Sequence, residues 1–419
     1  MDKPVRSNAG PPALTRRGFL GTAAAGAMAL TAPKLLAEDD PGRAALARLV
    51  AKLEYLTPPA QFQGFDREKP RVHDLAAGKL REAGLDRETW RLEVLPDPES
   101  NSKVERPLSK AQGTALDWQG LMKLAEKRAV RFLHVLTCTN IDKPQGMGLW
   151  EGVPLREVLW TARPAANVRR VYYYGYHNDE PKQRFVSSLT MSRVLEDPPG
   201  ELPVMLGYKL NGEWLSVKHG GPVRLVVPGA YGNKWVKWLQ HVVLTNKYQS
   251  NDTYAEWNND VESPMKTLAR FLHAPAKARP NEPLPLVGLA HIGMSGLGKV
   301  QYAVSPQDAP LPADDPYLAT LDWHDAAVLP PPDDWGGGLP GGKLPPAPLQ
   351  FDPATGKPRS WPLRYTIAHW SALVPGRPAG RYHLRCRTID GSGAAQPWPR
   401  PLPKSGNNAI QQVAVVVEA

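Results

Sequence analysis

Cysteine is nearly absent from this chain, with 2 in 419 residues. That scarcity excludes a disulfide-stapled scaffold and any four-cysteine zinc or iron–sulfur site. No C-x-x-C-H run occurs, so no c-type haem is attached to the chain. No run of Lys and Arg reaches five residues, which argues against nucleic acid as a partner. Near the N-terminus, 21–32 is a mildly apolar, Ala/Gly-rich stretch of about a dozen residues, short of the ~20 that a membrane span needs. The mature chain is therefore expected to have no membrane span. Proline, by contrast, is abundant: its 45 residues are about 11 % of the chain, roughly twice the usual ~5 %. Such an excess disfavours an all-helical protein and favours short strands, loops and sheet edges. A hydrophobic content of 42 % still supplies ordinary cores and excludes global disorder. The length suits two or three domains.

Thr15-Arg16-Arg17-Gly18-Phe19-Leu20 places paired arginines ahead of the apolar stretch, the pattern of a twin-arginine export signal. Residues 1–37 are thus expected to be an address, cut near Ala37, that delivers a folded protein to the periplasm. The formal net charge is +10. Lys3, Arg6, Arg16, Arg17 and Lys34 against Asp2 carry +4 of it. The remaining surface, about +6, can steer anions or an acidic partner.

Along the mature chain, the spacing of Ala44, Leu46, Leu49, Val50 and Leu53 predicts a helix over 43–56. Further helices are predicted over 117–127, with Asp117 as N-cap, and from Trp150 through Leu159. Strands are predicted at 90–95, 131–137, 168–174, 204–208, 223–227 and 241–244. Composition shifts near residue 280: 281–419 holds 22 prolines in 139 positions, against 23 in the first 280. That shift marks a domain boundary between 38–280 and 281–419. In the second segment, strands at 286–292, 299–304, 364–370 and 381–388 with turn-rich connections predict a β-sandwich. The low-complexity stretch 330–348 reads as a long surface insertion in that sandwich.

The densest chemistry is His219-Gly220-Gly221-Pro222-Val223-Arg224-Leu225-Val226-Val227-Pro228-Gly229, followed by Gly232-Asn233-Lys234-Trp235-Val236-Lys237-Trp238-Leu239. Glycine turns flank a strand and bring His219, Arg224, Lys234 and Lys237 together as a cradle for a phosphate or another oxyanion. The residues alone also allow a strand with solvated basic ends. Cys138, in Leu136-Thr137-Cys138-Thr139-Asn140, follows a predicted strand; a lone cysteine is often just a small buried residue. Cys386, in an alternating strand, reads as such a core residue.

Together these motifs resemble the sulfite oxidase family of molybdopterin oxidoreductases. Trp150-Glu151-Gly152-Val153-Pro154-Leu155-Arg156-Glu157-Val158-Leu159 is similar to its W-x-G-V-x-L-x-x-x-L. Tyr208-Lys209-Leu210-Asn211-Gly212-Glu213-Trp214-Leu215 is similar to its Y-x-x-N-G-x-x-L. Val287-Gly288-Leu289-Ala290 and the stretch 391–397 resemble the start and end of its dimerisation domain. The resemblance keeps family order over roughly 90–400. It implies an α+β protein: a mixed α/β molybdopterin domain of the sulfite oxidase type, then an immunoglobulin-like β-sandwich able to form a homodimer.

The resemblance also assigns roles. Cys138 would be the thiolate ligand of molybdenum beside two pyranopterin sulfurs, a soft donor suited to that metal. Its loop lacks the glycine of the family's C-x-G-N. His219, Arg224, Lys234 and Lys237 match positions that hold the pterin and its phosphate, and Ser188 matches a family serine, although a simple turn residue is the other reading. Trp235 stands where many relatives have serine. His177 or Asp179 would replace a family aspartate. Tyr254 matches the catalytic tyrosine, with Tyr248 as rival. The family's arginine in F-x-R-N-H has no counterpart in Thr57-Pro58-Pro59-Ala60-Gln61-Phe62-Gln63-Gly64-Phe65. Its loss removes a bidentate partner for sulfite. The implied activity is two-electron oxygen-atom transfer to or from a small oxyanion or sulfur compound, sulfite dehydrogenase-like. An external c-type cytochrome would accept electrons, as a separate partner or as a second subunit. The alternatives are the molybdenum subunit of a thiosulfate-oxidising complex, or a cofactor-binding homologue without turnover.

Overall fold

The computed structural model describes residues 41–64, 70–141, 143–178, 180–198, 200–398 and 402–419. The expected export signal, 1–37, and Asp179 lie outside them. The described residues form a strand-rich α+β protein. Among them, no helix is long and apolar enough to cross a membrane.

Local chemistry explains several elements. Asp117 Oδ1 accepts from the Gly120 N–H at 2.7 Å and starts helix Trp118–Arg128, whose last turn carries Lys127 and Arg128. Those charges suit the two ends of a helix dipole. Trp150 departs from the helix expected there. It lies inside strand Gly146–Pro154, and the helix, Leu155–Ala162, begins after it. The strand pairs on both sides, with Val130–Leu136 and with Met205–Leu210. Sheet pairing on two edges satisfies the backbone there and overrides the helical spacing.

Two five-stranded sheets carry the N-terminal part. One orders Leu116–Asp117, Arg91–Pro96, Leu239–Thr245, Arg170–Gly175 and Ser187–Thr190. The other orders Val130–Leu136, Gly146–Pro154, Met205–Leu210 and Glu213–Trp214, with Arg224–Val226 also paired to Met205–Leu210. The segment 223–239 passes from the second sheet to the first. It folds back on itself through the Leu225 N–H to the Val236 carbonyl and the Leu239 N–H to the Val223 carbonyl, both at 2.9 Å.

An eight-stranded sheet follows, ordered Leu268–His273, Leu284–His291, Ile367–Val374, His324–Val328, Lys299–Pro306, Gly380–Ile389, Gln411–Val417 and Lys277–Ala278. It curls on itself: Ala269, Leu286 and Trp370 from one half share a core with Val300, Leu384 and Val415 from the other. A curled sheet of this kind fits a β-sandwich. Cys386 belongs to its core, and burial pushes its thiol pKa up. The boundary expected at 280 falls inside this sheet, because Leu268–His273 and Lys277–Ala278 come before it.

The stretch 330–348 is not simply a surface insertion. Trp335 and Leu339 are buried in the N-terminal core with Phe351 and Tyr365, and the Leu56 N–H donates to the Trp335 carbonyl at 2.9 Å. Its proline and glycine content hides two apolar anchors. Asn211 stitches this stretch to its neighbours. Its side chain accepts from the Leu149 N–H at 2.8 Å and donates to the Thr57 and Gly337 carbonyls at 2.9 Å. Asn211→Ala leaves three backbone groups without partners and is expected to cost about 3 kcal/mol. Chemical denaturation checks the cost, and limited proteolysis should cut first within 330–348.

Burial also sets an acid limit. His134 and His291 are 0 % and 1 % exposed, and burial is the main cause that pushes each pKa from 6.5 down to about 3. Both rings are held neutral, while their unfolded counterparts take up protons below 6.5. Their contribution is therefore complete above pH 6.5 and is lost as pH falls from there towards 3. With two extra protons on the unfolded chain, stability should drop by roughly 3 kcal/mol per pH unit in the middle of that window. Denaturation midpoints at about pH 6 and about pH 5 check the slope.

Candidate functional site

A cavity of about 350 Å³ lies where the 223–239 segment meets the loop after strand Val130–Leu136. Its described walls include Cys138, Asn140, Arg224, Asn233, Trp235, Lys237, Trp238, Tyr254, Trp257 and Lys404.

The Cys138 loop is held from three sides. The Gln145 N–H returns to the Leu136 carbonyl at 2.8 Å and closes the loop. The Gly232 N–H donates to the Thr137 carbonyl at 2.7 Å; a Cβ at Gly232 would stand 3.0 Å from that oxygen, so glycine permits the approach. The Asn407 N–H donates to the Thr139 carbonyl at 3.1 Å. Cys138 itself is half-buried and its thiol is free. Tyr254 Oη lies 3.3 Å from Thr139 Oγ1.

Arg224 supplies the electrostatics. It is 3 % exposed. Nη1 donates to the His219 carbonyl and Nη2 to the Trp235 carbonyl, both at 2.9 Å, while Nε has no partner. Its guanidinium packs against Trp150 and Trp235 at 5.4 and 5.7 Å from the ring centres. Burial pushes its pKa down to about 9, still high enough to stay charged at neutral pH. Among the described residues no carboxylate balances it. A buried cation of this kind calls for an anion.

The structure brings Cys138, Arg224, Lys237 and Tyr254 to one cavity. Lys237 also donates to the Lys218 carbonyl at 3.0 Å. The ring of His219 is not a wall residue; its Nδ1 pairs with Ser216 Oγ at 3.0 Å. Burial first, then Arg224, Lys218 and Lys237, push its pKa down to about 4. Ser188 and Lys234 are not among the described wall residues. Lys234 Nζ donates to the Ser188 carbonyl at 2.8 Å and stands 3.6 Å from Asp252 Oδ2. Tyr248 is 76 % exposed and is held by Arg169 Nε at 3.0 Å, away from the cavity. His177 is not among the described wall residues either.

Trp235 takes the serine position as a wall. Its Nε1 donates to the Val227 and Ala230 carbonyls at 2.8 and 3.1 Å, leaving its ring against Trp150. Asn233 and Lys404 were not singled out by sequence. Asn233 Oδ1 is buried without a partner, and Asn233 already stood inside the quoted Gly232-Asn233-Lys234 run. Lys404 comes from a distant proline-rich stretch and packs its ammonium over Trp257 at 5.1 Å; no local pattern marks it. Among the described residues, no group of three or more His, Cys, Asp or Glu is placed to hold a metal ion. A metal at Cys138 must bring ligands of its own.

The family model of the oxidoreductase molybdopterin binding domain matches residues 80–253. These residues are an oxidoreductase molybdopterin-binding domain. Its cofactor is molybdopterin carrying molybdenum. The chain is similar to nitrate reductase [NADPH] of Pichia angusta, 35 % identical over 119 residues, 28 % of this chain and 13 % of that protein. It is also similar to nitrate reductase [NAD(P)H] of Betula pendula, 32 % identical over 133 residues, 30 % of this chain and 14 % of that protein. The match thus spans about one seventh of the length of these relatives. A solved structure, the sulfane dehydrogenase SoxCD from Paracoccus pantotrophus, shares the fold with a TM-score of 0.54 at 18 % identity, over 80 % of this chain and 79 % of that one. The shared fold therefore reaches beyond the molybdopterin-binding domain into the curled sheet.

The cavity residues fit molybdopterin. Its phosphate is the kind of anion that the uncompensated Arg224 and its unpartnered Nε call for. Its pterin edge carries N–H donors, and Asn233 Oδ1 is a buried acceptor without one. Its paired sulfurs leave molybdenum able to take another soft ligand, and Cys138 presents a free thiol on the same wall.

Proposed function

We propose that this protein is a periplasmic molybdopterin-dependent oxidoreductase that moves an oxygen atom to or from a small sulfur-containing substrate. It passes electrons to an external c-type cytochrome. One observation carries the reading: a free thiol, Cys138, and a buried cation without a carboxylate, Arg224, share one cavity. Molybdopterin-held molybdenum supplies two-electron oxygen-atom exchange when bound. Cys138 would hold the metal; Arg224, Lys237 and Asn233 would hold the pterin and its phosphate.

The remaining wall acts on the substrate. The buried Trp235 and Trp238 line the cavity with apolar rings, a low-dielectric wall that strengthens each charge inside. Lys404 brings a cation from the C-terminal sheet to hold an anionic substrate, where 57–64 brings none. The Tyr254 phenol can hold a proton against a substrate oxygen, with Thr139 Oγ1 as its second partner.

The fold shared with a sulfane dehydrogenase over most of both chains, together with the missing N-terminal arginine, favours a second reading: the molybdenum subunit of a thiosulfate-oxidising complex. The test is turnover by purified protein of sulfite, thiosulfate, an organic sulfoxide and nitrate, with artificial one-electron carriers. Turnover of sulfite supports the first reading and turnover of thiosulfate supports the second. Turnover of nitrate alone would overturn the assignment to sulfur compounds.

A further inference from the structure

Ser188 and Lys234 are not among the described cavity walls, and both meet one carboxylate, Asp252. It is 1 % exposed, and its two oxygens have different tasks. Oδ2 accepts from Ser188 Oγ at 2.9 Å and lies 3.6 Å from Lys234 Nζ. Arg170 Nη1 reaches the same Ser188 hydroxyl at 3.1 Å. Oδ1 accepts from the Tyr254 and Ala255 N–H groups at 3.1 Å each. We infer that Asp252 is a positioning residue, which fixes the Tyr254 phenol against the Cys138 loop and acts on the site through Tyr254.

The helix that carries Tyr254, Thr253–Glu256, has only 4 residues. So short a helix has almost no stability of its own, and its outside contacts set its direction. Thr253 gives it one anchor, pairing with Val186 through an N–H to carbonyl bond at 3.1 Å and an N–H to Oγ1 bond at 3.0 Å. Asp252 gives the next, directly on the Tyr254 amide. From there the phenol reaches Thr139 Oγ1 at 3.3 Å, one residue from Cys138, and its ring packs on Phe185 at 5.9 Å. A buried ion pair contributes little net stability against an apolar pair of the same shape, but it fixes register. Here Lys234 and Ser188 hold the carboxylate in one orientation, and the cap transmits that orientation to Tyr254. The role given to Tyr254 rests on the proposed function; the mechanical link does not.

The experiment follows alkylation of Cys138 by iodoacetamide in the cofactor-free full chain, where the thiol is not coordinated; Cys386 is completely buried and does not compete. The variants are Tyr254→Phe, Asp252→Ala made with Lys234→Met so that no buried lysine is stranded, and all three changes combined. Asp252→Asn made with Lys234→Met is the conservative control, since it keeps an oxygen for the Tyr254 N–H and strands no buried lysine. Molybdenum per chain and turnover are measured on separate, cofactor-loaded preparations of each. The link requires that Tyr254→Phe and the Asp252→Ala/Lys234→Met variant each raise the alkylation rate severalfold. The combination should be no faster than either, and the Asp252→Asn/Lys234→Met variant should stay near the parent rate. Rates that multiply in the combination, or an unchanged rate in the Asp252→Ala/Lys234→Met variant, would overturn it. Preparations that take up no molybdenum, with non-additive rates in the cofactor-free chains, would refute the proposed function and leave this inference standing. Loaded preparations that turn over, with multiplying rates in the cofactor-free chains, would do the reverse.

Discussion

Cys138→Ser is expected to leave the fold intact and the pterin bound, and to abolish turnover by removing the thiolate from the metal. The thiol is half-buried at a cavity wall, and its loop is held by backbone bonds from Gly232, Gln145 and Asn407 that do not involve sulfur. Serine keeps that backbone and nearly the same volume. A neutral hydroxyl is a poor substitute for a soft thiolate on a metal already bound by sulfurs. Turnover should fall by on the order of 10³-fold or more, with the unfolding midpoint of the cofactor-free chain almost unchanged. Metal analysis and steady-state kinetics on the same preparation separate the two effects. Unchanged turnover in the serine variant would rule out the ligand role.

Arg224→Met should separate stability from binding. Bringing the guanidinium into the wall pushes its pKa from 12.5 down to about 9, a shift worth about 5 kcal/mol. Against that stands the loss of bonds to the His219 and Trp235 carbonyls, about 1–3 kcal/mol each. The terms nearly cancel, so the cofactor-free variant should unfold within about 2 kcal/mol of the parent. The anion that offsets the buried charge would meanwhile lose its partner. Cofactor retention should fall by roughly 10²-fold, because truncating one side of a buried charge pair costs about 3 kcal/mol. Denaturation of the cofactor-free proteins and pterin content after purification measure the two sides. A large loss of stability with pterin retained would make Arg224 a structural residue only.

Much of the cavity was legible in the sequence where its determinants are local. The glycine turns around Arg224, the run from Gly232 to Trp238 and the strand before Cys138 are each set by neighbours a few residues away. Trp150 was misread because its helical spacing is real but is overridden by two strands that pair from elsewhere in the chain. The stretch 330–348 looked like a surface insertion because composition says nothing about where Trp335 finds its pocket. Ser188 and Lys234 are the right residue types for an anion cradle, yet their carboxylate partner, Asp252, is brought to them only by the packing of the sheets. Lys404 lies in a segment with no pattern and reaches the cavity because the curled sheet docks its loop there.

The central claim is that this cavity holds molybdopterin with molybdenum on Cys138. The most direct measurement is molybdenum and pterin content, with turnover, of the purified, correctly matured chain beside its Cys138→Ser variant. The expected result is equimolar molybdenum and pterin in the parent, and a variant that keeps pterin but does not turn over. A parent chain carrying neither metal nor pterin would contradict the claim.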